Sequence, residues 1–167
     1  MNKNTILIAI TSAILSSTPL HAVGDVTPGK LPEADRTELR EALRLKETGM
    51  LSRSSVILDE ISKGNATAEG LSVLNDIIMN VPGYEERMRA FLDREPQSAL
   101  APQLDFQHAL NRFESGDYSG ALSALDGIYV MDLMKGQHDE YLFKRAYCAL
   151  ETGDLQKAEE HFAACSR

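Results

Sequence analysis

The residue types that could do chemistry are sparse in this chain, and their spacing does not suit it. His108, His138 and His161 lack the spacing of a zinc site, and the adjacent pairs Glu85-Glu86 and Glu159-Glu160 point in different directions on a helix. The sequence contains no Gly-rich phosphate loop and no nucleophile elbow. We therefore expect no catalytic residue, no metal and no cofactor, and a protein that is not an enzyme.

Two cysteines could carry redox chemistry. Cys148 and Cys165 fall one on each helix of the last predicted hairpin. In an oxidising compartment they could form a disulfide that staples the hairpin. The alternative, which we favour, is a pair of reduced, buried thiols, since free cysteine packs well between helices. The spacing does not give the Cα–Cα distance that decides between the two.

The elements that must position these residues are marked by glycines at nearly constant intervals. Gly49, Gly83, Gly116 and Gly153 lie 34, 33 and 37 residues apart. Glycine suits the left-handed backbone that ends a helix, so each glycine predicts a turn between two helices. A period of this length predicts stacked helical hairpins, each burying its apolar face on the next.

The last two periods repeat most clearly. Aligned on Gly116 and Gly153, they match at Phe106/Phe143, Ala109/Ala146, Glu114/Glu151, Asp117/Asp154 and Ala121/Ala158. The period around Gly83 fits worst, because Glu95 falls at an inward position.

The hydrophobic spacing predicts an all-α solenoid of about four hairpins and no strand. The predicted units cover about 33–62, 67–95, 98–130 and 137–167, and three extra residues fall near 131–137. Thr67 and Ser98 are the expected N-caps of two helices. Lys46 follows the inward spacing of the first helix, after Leu39, Ala42 and Leu43.

The stretch 147–162 resembles the tetratricopeptide repeat (TPR), and Ala109 and Ala146 match its small-residue position. Arg112 and Ala149 replace a tyrosine that is usual in the family, and the chain has no tryptophan. The resemblance covers 98–167 and, more widely, the chain from residue 33. It implies a right-handed α-solenoid. In general sequence character, without a diagnostic motif, the chain is most similar to the exported TPR proteins of Bacteroidota.

The resemblance also implies a binding surface. In TPR arrays the first helix of each repeat lines a concave face that binds peptides. The positions ten, six and three residues before the last two turn glycines are Phe106, Leu110, Phe113, Phe143, Tyr147 and Leu150. They are the predicted partner-binding strip, with Tyr147 partly exposed and without the Lys and Asn of a carboxylate clamp. The alternative is that these side chains are core between helices.

Residues 1–22 form a separate segment. Lys3 precedes an apolar stretch at 6–17 and a small residue, Ala22, which is typical of a secretory signal peptide cleaved after Ala22 or Gly24. A buried N-terminal helix is the alternative. Residues 23–32 are the predicted flexible lead, and the lack of a cysteine near the cleavage point disfavours a lipid anchor. We therefore expect a periplasmic or secreted protein without a stable membrane anchor.

The chain is acidic, with a formal net charge of −8 that becomes −9 once Lys3 leaves. This sign disfavours nucleic acid and anionic lipid as partners. The basic residues Arg87, Arg89 and Arg94 are expected on a solvated helix face.

These observations favour a non-catalytic protein–protein interaction module of the cell envelope, an adaptor or scaffold that binds a partner in an apolar groove. One alternative is a structural scaffold that self-associates through the C-terminal helix at Ala163 and Cys165. A third is the N-terminal part of a longer repeat array attached to another activity. Partner identity and oligomeric state stay open at this point.

Overall fold

The computed structural model describes residues 33–165, which are all-α with no strand. The predicted signal peptide and flexible lead lie outside these residues. The chain divides into two compact units at Ala101–Pro102. The first contains α1 Glu33–Glu47, α2 Leu51–Ile61, α3 Ala66–Ile78 and α4 Tyr84–Arg94. Helix α5 Ala101–Glu114 opens the second, followed by α6 Tyr118–Asp126, a 3-10 turn Val130–Asp132, α7 Lys135–Glu151 and α8 Leu155–Cys165.

Three of the four predicted glycine turns have the same geometry. Gly49, Gly116 and Gly153 take φ angles of 80°, 82° and 83°. At each, the glycine N–H and the next N–H donate to carbonyls of the preceding helix, as in Asp117 N to Arg112 O at 3.0 Å. This pair of hydrogen bonds is the pattern that closes a helix on a left-handed residue. The predicted turns at these three positions are confirmed.

The turn predicted at Gly83 is wrong in register. Helix α3 ends at Ile78 and is closed by Asn80, which takes a φ of 52°; the N–H groups of Asn80 and Val81 donate to the carbonyls of Ile77 and Asp76 at 3.0 and 2.9 Å. Gly83 lies three residues after Asn80 and is the N-cap of α4, with a φ of 82°. Asparagine is the residue that most readily replaces glycine in this conformation. Glu95, which falls at a predicted inward position, follows the last residue of α4 and is exposed.

The N-terminal unit has a core built by α1, α2 and α3 together with Leu100, which follows α4. Its buried apolar residues include Ala42, Leu43, Leu58, Ile61, Ala68, Leu71 and Leu100. Gly70 lets α3 lie close to the side chains of Leu100 and Phe91, since a Cβ at this position would lie 2.7 Å from Leu100 Cδ1 and 2.8 Å from Phe91 Cζ. The N-cap of α3 is Asn65, whose Oδ1 accepts from Ala68 N at 3.0 Å, and not Thr67 as predicted.

Arg89 and Arg94 on α4 are exposed as predicted, whereas the half-buried Arg87 does not lie on a merely solvated face, which corrects its prediction. The Arg87 guanidinium donates to Asp59 on α2 at 2.6 Å, to Ser72 on α3 at 3.0 Å and to Asp76 on α3 at 2.5 Å. Arg94 forms an ion pair with Glu69. Arg87 therefore joins three helices through one planar group, as arginine geometry allows.

The C-terminal unit repeats the predicted small-residue contacts. Ala109, Ala121, Ala146 and Ala158 are at most 3% exposed, and the Asp117 and Asp154 side chains cap α6 and α8 through Gly120 N and Lys157 N. The core consists of Phe106, Ala109, Ala121, Leu125, Ile128, Leu133, Tyr141 and Cys148. Helix α6 ends three residues before the predicted 129, and α7 begins three residues before the predicted 138.

The Ser98 Oγ accepts from Leu100 N at 3.3 Å just before α5, in agreement with its predicted capping role.

Candidate functional site

The six predicted strip residues fall into three environments within the C-terminal unit. Phe106 is 1% exposed and belongs to the core, with its ring 6.4 Å from that of Tyr141. Leu110 is half-buried and packs on the same core. For these two residues the packing alternative is the better description. At the surface, the Tyr147 ring lies next to both Phe113 and Phe143, and Leu150 is exposed.

The surface rings belong to a row of five that we call the aromatic ladder: Tyr118, Phe113, Tyr147, Phe143 and Phe162. Ring centroids of neighbours are 5.4 Å apart for Phe113–Tyr118, 5.5 Å for Phe113–Tyr147 and 5.7 Å for Tyr118–Tyr147. Both Phe143–Tyr147 and Phe143–Phe162 are 6.2 Å apart. All but the Phe143–Tyr147 pair meet edge to face, which is a favoured aromatic geometry.

The ladder is open to solvent along part of its length. Phe143 is 49% exposed, while Phe113, Tyr118, Tyr147 and Phe162 are half-buried. The partly exposed Tyr147 agrees with the sequence prediction. A half-buried ring is held in a fixed orientation by its neighbours but still exposes a face or an edge to solvent. The ladder therefore presents an ordered apolar surface.

One cation covers the ladder. The Lys144 ammonium lies 3.8 Å from the Phe113 ring centroid, within the range of a cation–π interaction.

Sequence reasoning missed Tyr118 and Phe162. It followed only the first helix of each hairpin, whereas Tyr118 begins α6 and Phe162 lies on α8. The signal that could have found them is that both are aromatic and belong to the second helix of a hairpin whose first helix carries a ladder ring.

The two thiols of this unit differ in exposure, and neither has a lowered pKa. Cys148 and Cys165 are both free; Cys148 is buried as predicted, but Cys165 is exposed, because the last turn of α8 has no helix over that face among the described residues. Burial raises the pKa of Cys148 to about 11, and desolvation also raises the pKa of Cys165. Desolvation lowers the pKa of His161. Residues 33–165 hold no group of three or more His, Cys, Asp or Glu that could bind a metal ion.

The N-terminal unit contains a buried amine. Lys46 is 0% exposed, and its Nζ donates to Asn75 Oδ1 at 2.7 Å, while Asn75 Nδ2 donates to Ser54 Oγ at 3.1 Å. Burial lowers the pKa of Lys46 to about 7. A neutral amine is a nucleophile, but all three side chains are closed to solvent, so this group has no access to a substrate.

Within the described part of the chain, no helix is both long and apolar enough to cross a bilayer. In comparisons with known proteins, the chain matches no family model, no curated protein and no solved structure. Function is therefore inferred from the aromatic ladder and its surroundings.

Proposed function

We propose that the protein is a non-catalytic interaction module of the cell envelope whose aromatic ladder binds a partner protein or peptide. The observation that carries the proposal is the row of five contacting rings at the surface of the C-terminal unit. Three of them, Phe113, Phe143 and Tyr147, are among the positions that the resemblance to the TPR implies for partner binding. In this proposal the hairpins stack as a right-handed, TPR-like solenoid, and the chain is exported through its N-terminal segment.

The ladder suits binding because its rings hold one another in place. Aromatic side chains supply a large contact area with few rotatable bonds, so little side-chain entropy is lost when a partner docks. Aromatic residues are also the ones that most often dominate binding energy at interfaces. Apolar side chains of a partner, held against Phe143 and Tyr147, are the expected anchors.

The test is capture of a partner from envelope extract by the purified, tagged protein with cross-linking, followed by binding of the purified partner. We expect one defined protein to be retained by the wild type and lost by the Phe143→Ala/Tyr147→Ala variant. A matched control is Tyr129→Ala/Met131→Ala, which removes apolar side chains that are 67% and 66% exposed but outside the ladder. A partner that binds the ladder variant and the wild type equally well would refute the proposal.

Export is tested separately by fractionation and N-terminal sequencing. The expected mature protein begins at residue 23 or 25 and is found in the periplasm or the medium. Recovery of the chain only in the cytoplasm with its original N-terminus would contradict the envelope assignment.

Self-association is the second candidate function. It is supported by exposed apolar side chains on the terminal hairpin, namely Leu150 at 43% and Leu155 at 66% exposure. Sedimentation of the wild type and of Leu155→Gln distinguishes it: a scaffold of this kind sediments as a dimer or larger, and the variant as a monomer.

A further inference from the structure

One side of α7 carries two rings between two carboxylates, a pattern that the proposed binding function does not by itself require. Asp139, Phe143, Tyr147 and Glu151 follow one another at intervals of four residues, so each is a neighbour of the next on the helix surface. We call these four residues the α7 stripe. Its two middle members belong to the aromatic ladder, and its two ends are carboxylates about 18 Å apart along the axis.

Both carboxylates of the α7 stripe are exposed. Several basic side chains of this unit have other partners: Arg112 pairs with Asp117 at 2.6 Å, Arg145 with Asp126 at 2.6 Å, and Lys144 covers Phe113. Lys135, one turn before Asp139, is exposed and makes no ion pair with it. Among the described residues, neither Asp139 nor Glu151 is within ion-pair distance of a basic group.

The end of the stripe at Glu151 is the more negative one. Glu151 is the last residue of α7, where the helix dipole adds partial negative charge. Glu151 raises the pKa of the Tyr147 hydroxyl, so the ring and the carboxylate lie close enough to interact electrostatically. A cation placed beside Tyr147 would therefore meet the carboxylate, the helix C-terminus and the ring together.

We propose that the α7 stripe binds a segment of a partner protein that has apolar anchors between two basic side chains. This inference depends on the proposed binding function and specifies the partner's chemistry. The anchors lie on Phe143 and Tyr147, and the basic groups reach Asp139 and Glu151. An amphipathic helix with two Lys or Arg side chains about three helical turns apart has the matching length.

A second copy of this chain is the less suitable occupant. Two α7 stripes packed antiparallel about a two-fold axis would place Asp139 of one copy against Glu151 of the other. The whole chain also carries a net charge of −8, so two copies repel each other. Like charges in an interface disfavour it, whereas a basic segment meets complementary charge.

The test uses three fluorescein-labelled, alanine-based helical peptides, each with two central leucines and long enough to cover the whole α7 stripe. They differ only near the ends, where each has two Lys, two Gln or two Glu separated by about three helical turns. Fluorescence anisotropy with the purified protein gives the Kd of each. We expect the Lys peptide to bind tightest and the Glu peptide weakest. Because exposed ion pairs contribute little to binding, the Lys peptide should bind with a Kd about 2- to 20-fold lower than that of the Gln peptide. This difference in Kd should shrink in high salt.

The variants separate local charge from net charge. Asp139→Asn/Glu151→Gln should bind all three peptides with equal Kd. The matched control Glu47→Gln/Glu60→Gln makes the same change in net charge with exposed carboxylates of the N-terminal unit and should keep the wild-type preference. Phe143→Ala should weaken all three peptides.

Three results of the peptide titrations would overturn the inference. They are equal Kd values for the three peptides with the wild type, a preference that survives in Asp139→Asn/Glu151→Gln, and no peptide binding. If either of the first two results is found and Phe143→Ala loses peptide binding, the proposed binding function remains supported, but the requirement for basic groups does not. A dimer that the Lys peptide does not dissociate, but Phe143→Ala does, would identify a second copy as the occupant and also overturn it.

Discussion

The buried Lys46 amine makes the stability of the N-terminal unit depend on pH above neutrality. In the folded protein its pKa is about 7, whereas an exposed lysine has a pKa of 10.5. Between these values the unfolded chain binds the extra proton, so the free energy of unfolding rises with pH. Below pH 7 the amine is charged in both states, and burying this charge lowers the free energy of unfolding by about 5 kcal/mol. Above pH 10.5 the amine is neutral in both states and this loss is absent.

The expected gain between pH 7 and pH 9 is about 2 kcal/mol for this one group. Lys46→Met keeps the length of the side chain but removes the titrating amine, so this rise should vanish. The variant also leaves Asn75 Oδ1 without its donor, which costs about 1–3 kcal/mol at every pH. The slope against pH, and not the absolute stability, is therefore the diagnostic quantity.

The assay is urea unfolding followed by circular dichroism at several values from pH 7 to pH 9. Lys63→Met is the control, because Lys63 is exposed in the loop between α2 and α3 and should keep the wild-type slope. Other groups that titrate in this range contribute equally to all three proteins. A Lys46→Met variant with the wild-type slope, or a wild type whose stability does not rise, would refute the reasoning.

Three further predictions concern packing and turns, each measured by urea unfolding. Gly70→Ala should lose about 1 kcal/mol, because overpacking against Phe91 and Leu100 exceeds the gain in helix propensity; unchanged stability would mean that these side chains yield freely. Gly116→Ala should lose about 1–2 kcal/mol at its φ of 82°, whereas Gly136→Ala, with open space in α7, should be neutral or stabilising; equal losses at both would contradict the turn assignment. Tyr141→Phe should lose about 1 kcal/mol, because its hydroxyl donates to the buried carbonyls of Leu125 and Ile128; no loss would show that water replaces it.

Local signals in the sequence predict local structure well. Gly49, Gly116 and Gly153 identify their turns because a left-handed residue closes a helix through bonds to the preceding turn alone. The same reasoning fails at Asn80, since asparagine also adopts this conformation and the nearby Gly83 gives a stronger but misleading signal. The choice of Thr67 over Asn65 as a cap is wrong for a similar reason, because both residue types cap helices.

Features that join distant residues are harder to predict. Spacing places Lys46 on an inward position, but its partner Asn75 is 29 residues away, so spacing cannot reveal a buried amine. The sequence predicts Arg87 in solvent, because its three partners come from two other helices and the spacing within α4 does not reveal them. The aromatic ladder is predicted in part: the resemblance to the TPR implies Phe113, Phe143 and Tyr147 as binding positions, but Tyr118 and Phe162 join the ladder only through the packing of hairpins.

The contrast between the two thiols has a practical consequence for following the aromatic ladder. Cys148 is sealed in the core with a pKa of about 11, while Cys165 is exposed at the end of α8, three residues after the ladder ring of Phe162. Thiol reagents should therefore label the native protein at a single place, since modification requires an accessible thiolate. A fluorophore attached to Cys165 would report binding of a partner to the neighbouring rings, and no additional cysteine would have to be introduced.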